Sequence, residues 1–204
     1  MIITFGNQKG GAGKSTLATL FANYLSLVKK KEVIVLDMDY QRTIYTYFEE
    51  NKILENEALY EVLELDLNKF PAILPKLKES KEAFIIIDLP GTLDDENLLP
   101  VLQNTDVFII PFCYDKNTYQ STTFFNLVLN QVNKDAKKIF VPNRIKGSVK
   151  YETKEAVDQD FSQFGKITKS ITDSVNFQRI NTREININIL PIIEEVFEEI
   201  LEEI

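Results

Sequence analysis

Asn7-Gln8-Lys9-Gly10-Gly11-Ala12-Gly13-Lys14-Ser15-Thr16 follows the apolar run Ile2-Ile3-Thr4-Phe5 and opens an amphipathic stretch, Lys14–Val28. A glycine-rich turn between a strand and a helix is suited to holding an anion. Glycines let the backbone turn tightly and aim successive N–H groups at one point. The first turn of the following helix adds its positive dipole end. Lys14 supplies a mobile cation for phosphates, and the Ser15 hydroxyl is suited to Mg²⁺. Gly10, Gly11, Ala12, Gly13, Lys14, Ser15 and Thr16 are therefore the candidate phosphate-binding residues. The pattern G-x-x-x-x-G-K-[ST] is not met in full, because Gln8 takes the first glycine position. The tighter pattern K-G-G-x-G-K-[ST] is met. Average residue usage gives it at about one position in ten million, which sets aside an incidental Gly-rich turn.

Outward from this loop, short apolar runs alternate with helix-length segments. Ile2–Phe5, Val33–Leu36, Phe84–Ile87, Val107–Ile110 and Ile139–Val141 are nearly continuous and β-branched or aromatic, as strands buried on both faces are. Ile167–Ile171 is a candidate for one more. Lys14–Val28, Ala58–Leu63, Phe70–Lys78, Glu96–Gln103, Thr118–Val132 and Glu152–Phe164 are expected helices. Alternation of this kind predicts an α/β fold, a doubly wound, mainly parallel sheet with helices on both faces. No repeat or linker divides the chain, so residues 1–204 are expected to be one domain. Residues 190–204 form its last, amphipathic helix. Ile193, Val196, Phe197, Ile200 and Ile204 share one face of that helix and its polar face is all glutamate. Packing on the core is the first reading and partner binding the second. A membrane-surface helix would carry Lys or Arg there.

Two further segments place carboxylates at strand ends, where ligands bind in open parallel sheets. Val33-Ile34-Val35-Leu36-Asp37-Met38-Asp39-Tyr40-Gln41 ends in two aspartates, which also suit helix caps or turns. Ala83-Phe84-Ile85-Ile86-Ile87-Asp88-Leu89-Pro90-Gly91 ends in Asp88, suited to Mg²⁺. Gly91 allows a backbone N–H to approach a phosphate closely.

The chain has 204 residues and a net charge of −8. Charge is unevenly spread: residues 134–183 hold 11 Lys and Arg against 6 acidic residues, and residues 184–204 hold seven glutamates and no basic residue. The basic third reads either as a patchy solvated surface or as a functional face. One cysteine, Cys113, excludes an internal disulfide and is expected to be a small buried apolar residue. With no histidine, a zinc or iron–sulfur site within one chain is not expected. The N-terminus lacks the pattern of a signal peptide, so a cytoplasmic location is expected.

Lys9 with Gly10-Gly11 resembles the deviant Walker A box of the ParA/MinD ATPase superfamily. Asp37-Met38-Asp39-Tyr40-Gln41 is similar to its D-x-D-P-Q switch, with Tyr40 in place of proline. Asp88-Leu89-Pro90-Gly91 matches the form of its second switch. The resemblance implies an ATP hydrolase that closes into a homodimer around ATP and Mg²⁺. In it Lys9 reaches the phosphates of the other subunit, Lys14 acts in its own site and Asp39 positions the attacking water. Ser15, Asp37 and Asp88 serve the metal, and Gly91 senses the γ-phosphate. Which aspartate orients the water stays open. Asn143, followed by Arg144, corresponds to an adenine reader in many members, a turn asparagine being the alternative.

Among superfamily activities, partition fits the sequence first. The loop begins at residue 7, as in small partition ATPases that leave centromere recognition to an adaptor protein. Such an ATPase binds DNA non-specifically when ATP-bound, and so associates with the nucleoid. Candidate DNA contacts are Lys146, Lys150, Lys154, Lys166, Lys169, Arg179 and Arg183. A membrane-positioning ATPase and a small-metabolite enzyme are the alternatives, the former weakened by the glutamate-faced last helix. Metal-handling members need two cysteines per chain or a Cys-x-x-Cys pair.

Overall fold

The computed structural model describes residues 1–52 and 57–204. Among these, seven strands form one parallel sheet in the order β3-β2-β4-β1-β5-β6-β7. They are β1 (Ile2–Phe5), β2 (Val33–Asp37), β3 (Glu61–Glu64), β4 (Phe84–Asp88), β5 (Val107–Phe112), β6 (Lys137–Pro142) and β7 (Lys166–Ile167). The α-helices are α1 (Lys14–Leu27), α2 (Thr43–Asn51), α3 (Phe70–Glu79), α4 (Leu98–Gln103), α5 (Lys116–Val132), α6 (Lys154–Phe161) and α7 (Leu190–Glu203).

Strand side chains alternate between two cores, as the period of two requires. Ile3 and Phe5 of β1, Ile86 of β4 and Ile109 of β5 join a cluster covered by α1, α2 and α7. Ile85 and Ile87 of β4 and Phe108 and Ile110 of β5 point the other way, into a cluster covered by α3, α4, α5 and α6. The sheet is therefore doubly wound. Its central strand β1, flanked by β4 and β5, delivers the loop that follows it to the middle of the C-terminal edge.

Two expectations about elements are corrected, and one helix lies where none was expected. The segment expected as a helix over Ala58–Leu63 holds strand β3 at Glu61–Glu64. Val62 pairs with Val35, so the free edge of β2 supplies a ladder that a single turn of helix could not match. Helix α2 was not expected. Its start is marked by Asp37, whose Oδ2 accepts from the Tyr45 N–H at 2.9 Å, eight residues away and outside any local capping pattern. The last strand pairs only at Lys166–Ile167, with a separate bridge between Ile145 and Thr172.

Helix α7 lies on the first core. Ile193, Val196, Phe197 and Ile200 are buried, and the Phe197 ring meets those of Phe21 and Tyr24 edge-on at 5.1 and 5.5 Å. Three of its glutamates are engaged in ion pairs: Glu198 with Lys29 (and a hydrogen bond from Tyr24), Glu195 with Lys169, and Glu203 with Lys166 at 3.8 Å. No described helix is long and apolar enough to cross a membrane.

Candidate nucleotide site

The loop after β1 turns through two left-handed glycines, Gly11 (φ 77°) and Gly13 (φ 98°). Gly13 is also the residue before α1, and its carbonyl accepts from the Leu17 N–H. No acidic residue stands in the first turn of α1. That leaves an uncompensated positive helix end facing the loop. Asn7 fixes the loop at its start, donating from Nδ2 to the Pro111 carbonyl and to Thr122, both at 2.8 Å.

Lys14 is buried, 6 % exposed. A Cβ on Gly91 would stand 3.5 Å from its Nζ and 3.4 Å from the Gly10 nitrogen. Gly10, Gly11, Gly13, Lys14, Ser15, Thr16, Asp39, Tyr40, Gln41, Thr43, Gly91 and Thr92 line one cavity of ≈ 510 Å³. A second, of ≈ 250 Å³, is lined by Gly11, Gly13, Thr16, Asn143, Arg144, Thr172, Asp173, Ser174, Phe177 and Gln178. The two meet along Gly11, Gly13 and Thr16. One side is lined by lysine, hydroxyls and glycine backbone, and the other holds an aromatic ring and polar loop residues. That division suits a ligand with a polyanionic end and a flat base. A third cavity, of ≈ 540 Å³, opens at the opposite edge of the sheet, among Met1, Lys78, Asp106 and Lys137. It contains no glycine cradle and no helix N-terminus carrying the loop.

Asp37 and Asp88 pair in register and are both fully buried. Asp37 is satisfied, because its oxygens accept from the backbone N–H groups of Asp39 and Tyr45. Neither oxygen of Asp88 accepts a hydrogen bond. Burial raises the Asp88 carboxyl to about 8, against the pull of the neighbouring Ser15 hydroxyl and Lys14 ammonium, while Asp37 and Asp39 push it further up. A buried, unpartnered carboxylate beside a hydroxyl and a phosphate cradle matches the donor set of a divalent cation.

A family model, CobQ/CobB/MinD/ParA nucleotide binding domain, matches residues 3–187. The chain belongs to this family. It is an ATP-hydrolysing enzyme of the deviant Walker A type within it. No curated protein sequence matches. Among solved structures, the chain is similar to a protein of Borrelia burgdorferi described as a plasmid partition protein and bound to AMPPNP. Identity is 22%, the TM-score is 0.78, and the match covers 100% of this chain and 98% of that one. It is similar to apo McdA of Cyanothece at 16% identity, TM-score 0.76 and 98% coverage of both chains. It is also similar to the MinC:MinD cell division protein complex of Aquifex aeolicus at 15% identity, TM-score 0.74, covering 100% and 96%. At these identities the likeness is one of fold.

The remaining candidates are distributed as follows. Lys9 is half-buried in the turn, does not line the cavity of its own chain, and its side chain makes no ion pair among the described residues. Asn143 donates from its Nδ2 amide to the Ala12 carbonyl at 2.9 Å, which braces the cradle, and it also lines the second cavity. Arg144 (φ 57°) donates to the Gly11 carbonyl at 2.9 Å. Cys113 is half-buried, not fully buried, and its Sγ donates to Asp115 at 2.8 Å. Four of the expected DNA-binding residues are engaged within the chain. Lys154 pairs with Asp158, Lys166 with Glu203 and Lys169 with Glu195, and Arg183 donates to the Asn51 carbonyl. Lys146, Lys150 and Arg179 are exposed, and no carboxylate among the described residues pairs with them. They lie on the two segments that carry Arg144 and Phe177 of the second cavity.

Sequence reasoning missed Arg42. It sits in the left-handed region (φ 50°), donates to the carbonyls of Asp37 and Leu65, and pairs with Asp66 at 2.6 Å. The loop bearing Asp39 is thereby anchored to the end of β3. Because β3 itself was read as helix, no signal in the sequence pointed to this anchor.

Proposed function

We propose that this ATPase closes into a homodimer around ATP and Mg²⁺ and drives partition of DNA, in the cytoplasm, through non-specific DNA binding by the closed dimer. An adaptor protein stimulates hydrolysis, and opening of the dimer releases DNA. The observation that carries the reading is the disposition of the two lysines. Lys14 is buried against its own cradle, while Lys9 is half-buried, does not line its own cavity and has no ion-pair partner among the described residues. A cation so placed is free to serve a second copy.

In this reading Lys14 and the N–H groups of Gly10–Thr16 hold the triphosphate, and Asp39, on the cavity wall, orients the attacking water. Asp88 and Ser15 hold magnesium, which would supply charge neutralisation at the transferring phosphate. Asp37 shapes the loop through its two backbone bonds and adds negative charge beside the ion. Asn143 and Arg144 border the base. Nucleotide favours the closed state and the closed state binds DNA, so the two affinities are linked. The apolar face of α7 is covered by the chain's own core, which gives no support to α7 as a membrane-surface helix.

The test is mass in solution and DNA retention with a non-hydrolysable triphosphate. The wild type should double in mass and retain random duplex in a salt-sensitive manner. Lys9→Ala should bind nucleotide yet stay single, and Lys14→Ala should lose nucleotide. A Lys9→Ala variant that dimerises and retains DNA like the wild type would defeat the reading.

A further inference from the structure

Two loops flank the phosphate cavity. One, after β2, runs from Met38 to Arg42 and carries Asp39. The other, after β4, runs from Pro90 to Asn97 and carries Gly91. They are tied together at one point: the Tyr40 hydroxyl donates to Asp95 Oδ2 at 3.0 Å. Tyr40 itself lines the cavity. The tie is built on both sides. The other oxygen of Asp95, Oδ1, accepts from the backbone N–H and the Nδ2 of Asn97, at 2.9 and 2.7 Å. That aims Oδ2 at Tyr40. The Asp95 carbonyl accepts from the Leu98 N–H, which fixes Asp95 to the start of α4. On the opposite flank Arg42 holds the Tyr40 loop to β3.

The sequence at this point departs from the family's D-x-D-P-Q pattern, with Tyr40 where proline is usual. Proline would set the loop's shape covalently by fixing φ. A tyrosine leaves the backbone freer and substitutes a side-chain bond that can break and re-form. Tyr40 is 61% exposed, so burial does not hold it in place. What orients it is the bond.

We infer that Tyr40 is a positioning residue: its bond to Asp95 latches the Asp39 loop to the Gly91 loop across the mouth of the cavity, and nucleotide leaves when the latch opens. The inference rests on the reading of this cavity as the triphosphate site. It concerns what governs residence of the nucleotide, and it does not depend on DNA binding.

The test is release of a fluorescent ADP analogue by stopped flow from the full chain with magnesium, in wild type, Tyr40→Phe, Asp95→Ala and the double variant. Tyr40→Phe keeps the ring and removes only the hydroxyl. A hydrogen bond to a charged acceptor at an exposed position predicts release about three- to tenfold faster. Asp95→Ala should match or exceed this, and Tyr40→Phe should add nothing in the Asp95→Ala background. The melting temperature of Tyr40→Phe should stay that of the wild type, because the bond is exposed. Release at the wild-type rate from Tyr40→Phe, or a further acceleration in the double variant, overturns the latch while leaving the nucleotide site standing. A wild type that binds no nucleotide overturns both.

Discussion

Asp37 and Asp88 stand abreast at the C-terminal ends of β2 and β4, both fully buried, yet only Asp37 finds donors. The pair shows how one sheet edge serves two purposes. Asp37 spends its charge on the backbone and thereby starts α2 and shapes the loop bearing Asp39. Asp88 is left without a protein partner, which costs stability in the absence of a cation.

Replacing Asp88 by Asn should therefore stabilise the metal-free protein. Burial holds the native carboxyl up to about 8. Its unfolded counterpart titrates near 4, so Asp88 contributes least stability above pH 8. The gain of Asp88→Asn over wild type should be absent near pH 4, grow as pH rises and level off above 8. A gain of about 1–3 kcal/mol at neutral pH is expected, because the buried carboxyl must be held mostly protonated in the folded state while the unfolded one is ionised. Urea denaturation in chelator at a series of pH values measures it. Magnesium with nucleotide should stabilise the wild type and not the variant.

Much of this site was legible in the sequence because its signals are local. The loop from Lys9 to Thr16 needs glycines at fixed positions, and the strand ending in Asp88 is a continuous apolar run closed by a carboxylate. What was not legible depended on distant partners. Strand β3 exists because β2 offers it an edge, and α2 begins where the Tyr45 N–H donates back to Asp37, eight residues upstream. The basic residues after position 145 could be counted but not paired from sequence. The glutamates of α7 that neutralise Lys166 and Lys169 lie about 30 residues further along the chain.

Gly13→Ala should disable the cradle. Gly13 has φ 98°, and an added Cβ would lie 2.2 Å from Asn143 Nδ2. An L side chain there carries a cost of about 1–2 kcal/mol from backbone strain alone. Asn143 must also move, breaking its bond to the Ala12 carbonyl. Loss of nucleotide binding by calorimetry is expected, together with a lower urea midpoint. Asn143→Ala should weaken binding less, since it removes the brace without straining the loop.

Phe197→Ala should cost about 3–5 kcal/mol, the usual range for emptying a buried aromatic site. The ring is fully buried between Phe21 and Tyr24 of α1, the helix that the phosphate loop opens. The loss is expected in the denaturant midpoint with the unfolding slope unchanged. Substitution of the exposed Glu202 should leave the midpoint within about 0.5 kcal/mol of wild type.

Charge placement divides the expected DNA contacts into two groups with different predicted effects. Lys166 and Lys169 are already paired with glutamates of α7, whereas Lys146, Lys150 and Arg179 are exposed without an acidic partner among the described residues. A phosphate contact gains by releasing a counterion, and a lysine held by a carboxylate has less to gain. Each contact removed should lower the slope of log affinity against log salt by about 0.9. Alanine at Lys146, Lys150 and Arg179 together should then flatten the slope by about 3 per chain in the ATP-bound form. Alanine at Lys166 and Lys169 should change it by less than 1. Retention of random duplex across a salt series measures both variants. The opposite ranking would move the DNA face to the β7 side of the sheet and away from the loops that carry Arg144 and Phe177.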